Sequence, residues 1–338
     1  MRILFGIQGT GNGHISRSQE IVRHLTRFAE VEVLISGAQH EVDFRLDVPT
    51  YWAHGLELAF GTQGGIGYWA TVKRLKMLLL LRDIRRLPVQ RYDVVVSDFE
   101  PISAWSAYLH RRPCIALSHH AAFLSPRVPR PPVKRPLAEW LMRWYAPAAD
   151  AIGLHFQAYD DFIDTPIIRQ AIREATITNQ GHYTVYLPAF ADSYLIKLFS
   201  PITTVRWEIF SKHYRHRRPS KQDHITIAPI ADQAFIRSVA GCEGLVTGAG
   251  FETPAEALYL GKKLLVIPMK GQYEQQCNAA ALQEMGMVAS SSLHVEGLQL
   301  WIEQAPPTRV AYRHNVADVV ELLLDHCHRP YDGASRSR

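Results

Sequence analysis

Three things are scarce in this chain of 338 residues. The first is cysteine. Four stand at positions 114, 242, 277 and 327, with no Cys-x-x-Cys pair. That excludes a disulfide frame or a zinc site and suits reduced, mostly buried thiols in a cytosolic protein. The second is long apolar sequence. The longest uninterrupted aliphatic run, Met77 to Leu81, is far short of the roughly 20 residues a bilayer-spanning helix needs. The opening Met1–Ile7 is too short for a signal-peptide core and runs straight into a glycine turn. The chain is therefore expected not to span a membrane. The third is charge imbalance: a net charge of +5 is too small and diffuse to argue for nucleic acid. Metal motifs are also missing. There is no His-Glu-x-x-His or Asp-x-Asp pattern, so no catalytic metal is expected.

What remains is soluble-globular composition, 47% apolar and 20% charged, on a chain long enough for two cores. Ile3–Ile7 reads as a buried strand and Gly9–His14 as a flexible turn. A helix follows, with Ser16-Arg17-Ser18-Gln19 as a capping box and Ile21, Val22, Leu25 and Phe28 on one face. Val31–Ile35 is the second strand, and this β-loop-α-β opening favours a parallel sheet. Further strands read at Val94–Ser97, Cys114–Leu117 and Ala151–Phe156. The polar Thr176–Gly181 stretch reads as a hinge, centred on Asn179–Gly181. The alternation then restarts, with strands at Thr184–Leu187, Trp207–Phe210, Ile225–Ala228, Leu245–Thr247 and Leu264–Ile267. The expected division is 1–178, 183–314, a C-terminal helix within 315–330, and a disordered tail at 331–338. Two stretches break the pattern. Tyr68–Leu87 is a basic amphipathic helix candidate, and Ser125–Pro136, rich in Pro and Arg, can be neither regular helix nor central strand.

The chain is organised around Leu245–Asn278. A short strand leads into the turn Gly248-Ala249-Gly250. Thr253, Pro254 and Glu256 then resemble an N-cap, a first helical proline and the end of a capping box. Free N–H groups and the dipole at such a helix start favour an anion such as a diphosphate. Glu256 has two readings: acceptor for the two hydroxyls of a ribose, or capping-box partner of Thr253. The polar turn Gly271–Gln276, with Gln272, Glu274 and Gln275, suits a polyhydroxylated ligand or is an exposed loop.

In the first half, Gly9–His14 is not the GxGxxG spacing of dinucleotide sites, so Gly11, Asn12 and Gly13 give a phosphate or acceptor loop only a weak motif. His14 follows the first strand, on the side where open α/β sheets keep their ligands, and a neutral imidazole there can take a hydroxyl proton. Its alternative is a helix-capping or core histidine. Asp98 ends its strand on the same side. It either fixes the tautomer of His14 or caps the next helix, with Glu100 as a competitor. His119 and His120 end a neighbouring strand and are expected to line the same cleft. The basic pieces of this half are solvated faces, a peripheral membrane contact over 68–91, or a site for an anionic acceptor.

GAGFETPAEALYLGKKLLVIP with GQYEQQCNA, and the N-terminal GTGNGHISR, resemble the signatures of the MurG-like and UDP-glycosyltransferase groups. VSDFEP and YLPAF resemble a bacterial MurG-like subgroup. The resemblance covers nearly the whole chain. It implies the GT-B fold, an α/β arrangement of two Rossmann-like domains facing each other across a cleft, with room for the C-terminal helix to return to the first domain. It implies an inverting, metal-independent transferase that needs no cofactor, with a UDP-sugar donor, a hydroxyl-bearing acceptor, soluble or lipid-linked, and a place in the cytoplasm or at the inner face of the membrane. By the same resemblance His14 is the base and Asp98 its partner. Gly248, Gly250, Phe251 and Glu252 match the diphosphate turn, with Ala249 where many members have a second glycine. Glu256 matches the ribose ligand, Glu274 and Gln275 the sugar-contacting pair with Asn278 close by, and Ile230 the position whose backbone reads uracil. A nucleotide-sugar hydrolase of the PseG type, a UDP-sugar 2-epimerase and a non-enzymatic nucleotide-sugar sensor are the rival readings.

Overall fold

The computed structural model describes residues 1–10, 12–37, 44, 46–53, 77–133, 135–214, 216, 218–312 and 316–331. The first half builds one sheet from β1 (Arg2–Gln8), β2 (Glu30–Ser36), β3 (Thr50–Ala53), β4 (Val94–Asp98), β5 (Cys114–Ser118), β6 (Asp150–Leu154) and β7 (Ile163–Asp164). Its strands are all parallel, in the order β3-β2-β1-β4-β5-β6-β7. The second half repeats the plan with β8 (His182–Tyr186), β9 (Arg206–Ser211), β10 (Ser220–Gln222), β11 (Ile225–Pro229), β12 (Gly244–Gly248), β13 (Lys263–Ile267) and β14 (Val288–Ala289). Its order is β10-β11-β9-β8-β12-β13-β14, with only β10 antiparallel to its neighbour.

The sequence explains the parallel pairing. β4, β5 and β13 are buried at every residue, and their continuous apolar runs suit strands covered by helices on both faces. Each sheet reverses its strand order once, between β1 and β4 and between β8 and β12. Open α/β sheets take ligands at such switch points, beyond the carboxyl ends of the strands. The loop before His14, the end of β4 at Asp98 and the turn after β12 all lie there.

One apolar core runs through both halves. It joins Ile15, Val22 and Leu25 of the helix Asn12–Leu25 to Leu258 and Leu260 of the helix Glu252–Leu260. The C-terminal helix Val316–Cys327 packs back onto Asn12–Leu25 through Val316, Val319, Val320 and Leu323, and His326 Nδ1 lies 2.6 Å from Asp150 Oδ2 at the start of β6. The expected hinge is stitched to the second half. Thr178 and Gln180 donate backbone hydrogen bonds to Ala240 and Gly241, and Lys262 Nζ reaches Thr178 O at 2.7 Å.

Several local expectations need correction. The first helix starts at Asn12, so Ser16–Gln19 lies inside it and is no capping box. It ends at Leu25, which leaves Phe28 64% exposed instead of on the apolar face. Thr253 is not an N-cap, because the helix already begins at Glu252 with Phe251 before it and no side-chain cap. β3, β7, β10 and β14 are short strands that the sequence pattern did not reveal. Of the basic amphipathic stretch, Tyr68–Lys76 lies outside the described residues. Met77–Arg86 is a helix whose Leu80 and Ile84 face the core. The tail 332–338 also lies outside the described residues. Among the described residues from Ser125 to Arg135 there is no regular helix, and the next helix starts at Pro136, where a missing N–H costs nothing. Among the described residues no helix is long and apolar enough to cross a membrane, and all four cysteines are unpaired.

Candidate active site

Asp98 is the centre of the first-half constellation. It ends β4 with no exposed surface and receives three side chains. His14 Nδ1 lies 2.9 Å from Oδ1, Arg17 Nη2 donates to Oδ1 at 2.6 Å, and Ser18 Oγ donates to Oδ2 at 3.0 Å. His14, Arg17 and Ser18 stand at i, i+3 and i+4 of one helix, which puts them on one face. Burial alone would raise the Asp98 carboxyl, but Arg17 and His14 outweigh it and hold it well below the usual carboxylate range. An ionised Asp98 can only accept, so His14 Nδ1 is the donor, and in the neutral ring Nε2 carries the free lone pair. Asp98 is therefore not the cap of the next helix. That role belongs to Glu100, whose carboxylate accepts from the backbone of Ile102 and Ser103.

Phe99, between the two acids, has φ of +55°, a left-handed conformation rare for a bulky residue. The turn aims its ring at His120, at 3.7 Å between centroids, and at Tyr145, at 4.6 Å. His120 in turn stacks 5.6 Å from His14. Beside this stack a small pocket of about 20 Å³ is lined by Ser97, Phe99, His120, Leu124, Met142 and Arg143.

The second half meets this face closely. A Cβ on Gly13 would come 2.7 Å from Glu252 Cγ, so glycine there lets the two helix starts approach. Gly11 lies outside the described residues, and Asn12 opens the helix. Arg17 Nη1 donates to Glu252 Oε1, and Arg169 clamps Glu256 from Nε to Oε1 at 2.5 Å and from Nη2 to Oε2 at 2.9 Å. Glu256 thus completes no capping box. Both its oxygens are held by a residue far away in sequence. The helix Glu252–Leu260 keeps its first-turn N–H groups without a side-chain cap. Among the described residues no atom outside the adjoining chain lies within 4 Å of where a Cβ on Gly250 would be, whereas over Gly248 Gln275 Oε1 and Ile267 O come near.

The remaining expected residues divide. Phe251 stacks on His119 at 4.0 Å. His119 is buried, with Nδ1 2.9 Å from Leu154 O and Nε2 2.8 Å from Asn278 Oδ1, and burial lowers it to about 4. Asn278, with no exposed surface, also donates to Ala249 O at 3.0 Å. Asn278 and His119 therefore clamp the halves together and are not free ligand groups. Glu274 lies 3.5 Å from His120 Nε2. Burial would raise its carboxyl, but His120, His119 and His14 bring it down to about 2. Gln275 Oε1 accepts from Met269 N at 2.9 Å, and Gln272 Nε2 donates to Glu274 at 3.3 Å. Ile230 follows β11 at the carboxyl edge of its sheet, and Thr253 sits in the first turn of its helix. Sequence reasoning missed Arg17, Ser18, Phe99 and Arg169. Helical spacing from His14 could have found the first two. Nothing local marks the others. Among the described residues no group of three His, Cys, Asp or Glu side chains could hold a metal ion.

The family model described as "Glycosyl transferase family 1" matches residues 1–306. No curated protein sequence matches the chain. Solved structures resemble it over almost the full length. MurG of Acinetobacter baumannii is 12% identical, with a TM-score of 0.58, covering 96% of this chain and 99% of its own. UGT89C1 of Arabidopsis thaliana, solved with UDP, is 13% identical, with a TM-score of 0.57 and coverages of 99% and 97%. The Streptomyces glycosyltransferase SsfS6, solved with thymidine diphosphate, is 14% identical, with a TM-score of 0.55 and coverages of 96% and 99%. At these identities the likeness shows the fold, the GT-B arrangement of two α/β halves.

Glu252 generates a test. Its carboxyl is raised from 4.5 to about 7, by burial first, with Glu256 and Asp98 adding repulsion against the pull of Arg17 and His14. The native state thus holds this proton more tightly than the unfolded chain. The stabilisation is full below pH 4.5 and is lost as pH rises through about 7. Unfolding free energies measured from pH 5 to 8 should fall by roughly 1–3 kcal/mol more in wild type than in Glu252→Gln. Parallel curves would show that Glu252 titrates normally.

Proposed function

The chain belongs to glycosyl transferase family 1, and on that premise we propose that it moves a sugar from a pyrimidine nucleoside-diphosphate donor, a UDP-sugar first, to an acceptor hydroxyl with inversion and without a metal ion. The observation that carries this reading is the His14–Asp98 pair at one switch point facing the uncapped helix start at Glu252 from the other. His14 Nε2 takes the hydroxyl proton while the acceptor oxygen bonds to the anomeric carbon. The bond from that carbon to the diphosphate oxygen breaks, and the nucleoside diphosphate leaves with the electron pair. Asp98 orients His14 and stabilises the imidazolium that forms. The free N–H groups and dipole of the helix Glu252–Leu260 stabilise the charge on the leaving group. UDP in UGT89C1 and thymidine diphosphate in SsfS6 support a pyrimidine nucleotide and leave the base to be chosen between the two.

On this reading residues 1–178 bind acceptor, and residues 183–314 bind donor through Gly248, Gly250, Gln275 and the backbone near Ile230. Glu256 takes the ribose once Arg169 releases it. The pocket beside Phe99, Leu124, Met142 and His120 holds only about 20 Å³, so these side chains suit contact with an apolar edge of the acceptor and do not enclose it. A lipid-linked acceptor fits the apolar and basic surface nearby. Leu137, Trp140 and Leu141 are exposed on the helix Pro136–Tyr145, and Met77, Leu78 and Leu81 are exposed beside Arg82, Arg85 and Arg86 on the helix Met77–Arg86. Sedimentation with anionic vesicles should be lost when those three arginines are changed to Glu, and unchanged sedimentation would remove this contact.

A panel of UDP- and TDP-sugars, followed by calorimetry and product analysis, tests the main reading. One donor class should bind and be consumed only when an acceptor is present. His14→Ala should lower turnover by on the order of 10²–10⁴-fold and leave donor affinity within a few-fold. Free sugar released without acceptor would favour the hydrolase, and unchanged turnover in the variant would remove His14 from the chemistry.

A further inference from the structure

Glu252 does not fit a diphosphate site as it stands. Its carboxylate occupies the first turn of a helix whose uncapped N–H groups favour an anion, and a second anion beside it would be repelled. Arg17 is what holds the carboxylate there. Its side chain is 3% exposed, yet it comes from the opposite half of the molecule. Its Nη2 is on Asp98, its Nη1 is on Glu252, and its Nε is buried with no hydrogen-bond partner. A buried guanidinium that already reaches, through Nη1, a carboxylate in the first turn of an uncapped helix carries the donors that oxygen-rich anions require. The surroundings fit an exchange of partners. Gly13 lets the Glu252 side chain pass close beneath the first helix, and among the described residues no atom outside the adjoining chain crowds Gly250.

We propose that Arg17 binds the donor diphosphate in exchange for Glu252, whose carboxylate stands in for that anion until the donor arrives. This rests on the reading of the helix Glu252–Leu260 as the diphosphate site. On donor binding the Glu252 side chain swings away and Arg17 Nη1 passes from its carboxylate to a phosphate oxygen, while Nη2 stays on Asp98. No bond is made or broken covalently. One guanidinium then touches both the leaving group and the carboxylate that orients His14, so the base is held in place on Asp98 when a donor is present. The raised Glu252 carboxyl agrees with this, because that carboxylate is the anion most easily given up in the cluster. Glu252, which the sequence places among donor ligands, becomes a competitor of the donor.

The test is affinity for UDP and TDP by calorimetry, with uridine or thymidine followed by NMR titration as the ligand without phosphate. Glu252→Gln keeps a hydrogen-bonding side chain next to Arg17 and is expected to fold. It should bind the nucleoside diphosphate about tenfold more tightly and leave nucleoside binding unchanged. Arg17→Lys and Arg17→Gln, checked for fold by near-UV circular dichroism, should weaken the diphosphate by tenfold or more and the nucleoside little. If wild type binds a nucleoside diphosphate but Glu252→Gln binds it equally or more weakly, the exchange is overturned and the donor site stands. If neither diphosphate binds wild type, the donor-site reading fails and the exchange falls with it. Should both Arg17 variants fail to fold, the Glu252→Gln comparison decides alone.

Discussion

A guanidinium buried between two carboxylates from opposite halves of the chain is the constraint on which this cleft depends. Arg17 is covered almost completely, and a charge so placed is tolerable only if it is paired and hydrogen-bonded. Burial works against its charge, and Asp98 and Glu252 more than restore it. Removing Asp98 would take from the guanidinium its fully buried partner. The pairing fixes Asp98 as an ionised acceptor, Asp98 fixes the tautomer of His14, and Glu252 fixes where the second helix meets the first. The geometry at the base and the approach of the two halves are therefore one problem with one solution.

The same logic repeats one helical turn along. Glu252 and Glu256 stand at i and i+4 on one face of the helix Glu252–Leu260, and each meets an arginine of the first half, Arg17 and Arg169. Isolated like charges at that spacing would repel. Two arginines from across the cleft turn the repulsion into a double clasp. His119, Asn278 and Phe251 add a neutral clasp beside it. Buried ion pairs contribute little net stability because desolvation offsets attraction, which suits contacts that must be remade when a ligand enters. Gly13 is what allows the clasp to form: any larger residue would push against Glu252.

The sequence made legible what short-range rules govern. Unbroken apolar runs ending in glycine turns announce buried parallel strands, and two such series announce two sheets. The positions of His14 and Asp98 at strand ends followed from that topology, so their meeting was foreseeable. Helix starts were less legible. Ser16–Gln19 and Thr253–Glu256 have the spacing of capping boxes, but the helices begin earlier, at Asn12 and Glu252. Glu256 shows why the rest was hidden. Its partner Arg169 is 87 residues distant, and no periodicity links them. Asn278 resembles a ligand residue in sequence, yet in the fold its amide bridges Ala249 and His119 and is wholly buried. Phe99 takes a backbone conformation that glycine would be expected to occupy, so composition gave no sign of it.

In the proposed reaction a base on one side and a leaving-group site on the other act on one carbon in a single displacement. The stereochemistry of the product reports on that directly. With an α-linked nucleotide-sugar donor, proton NMR of the first-formed glycoside, recorded before any anomeric equilibration, should show the coupling of a β-linkage. An α-linked first product would mean retention through two displacements or a front-face attack, and His14 and Asp98 could then not be the base and its orienting partner.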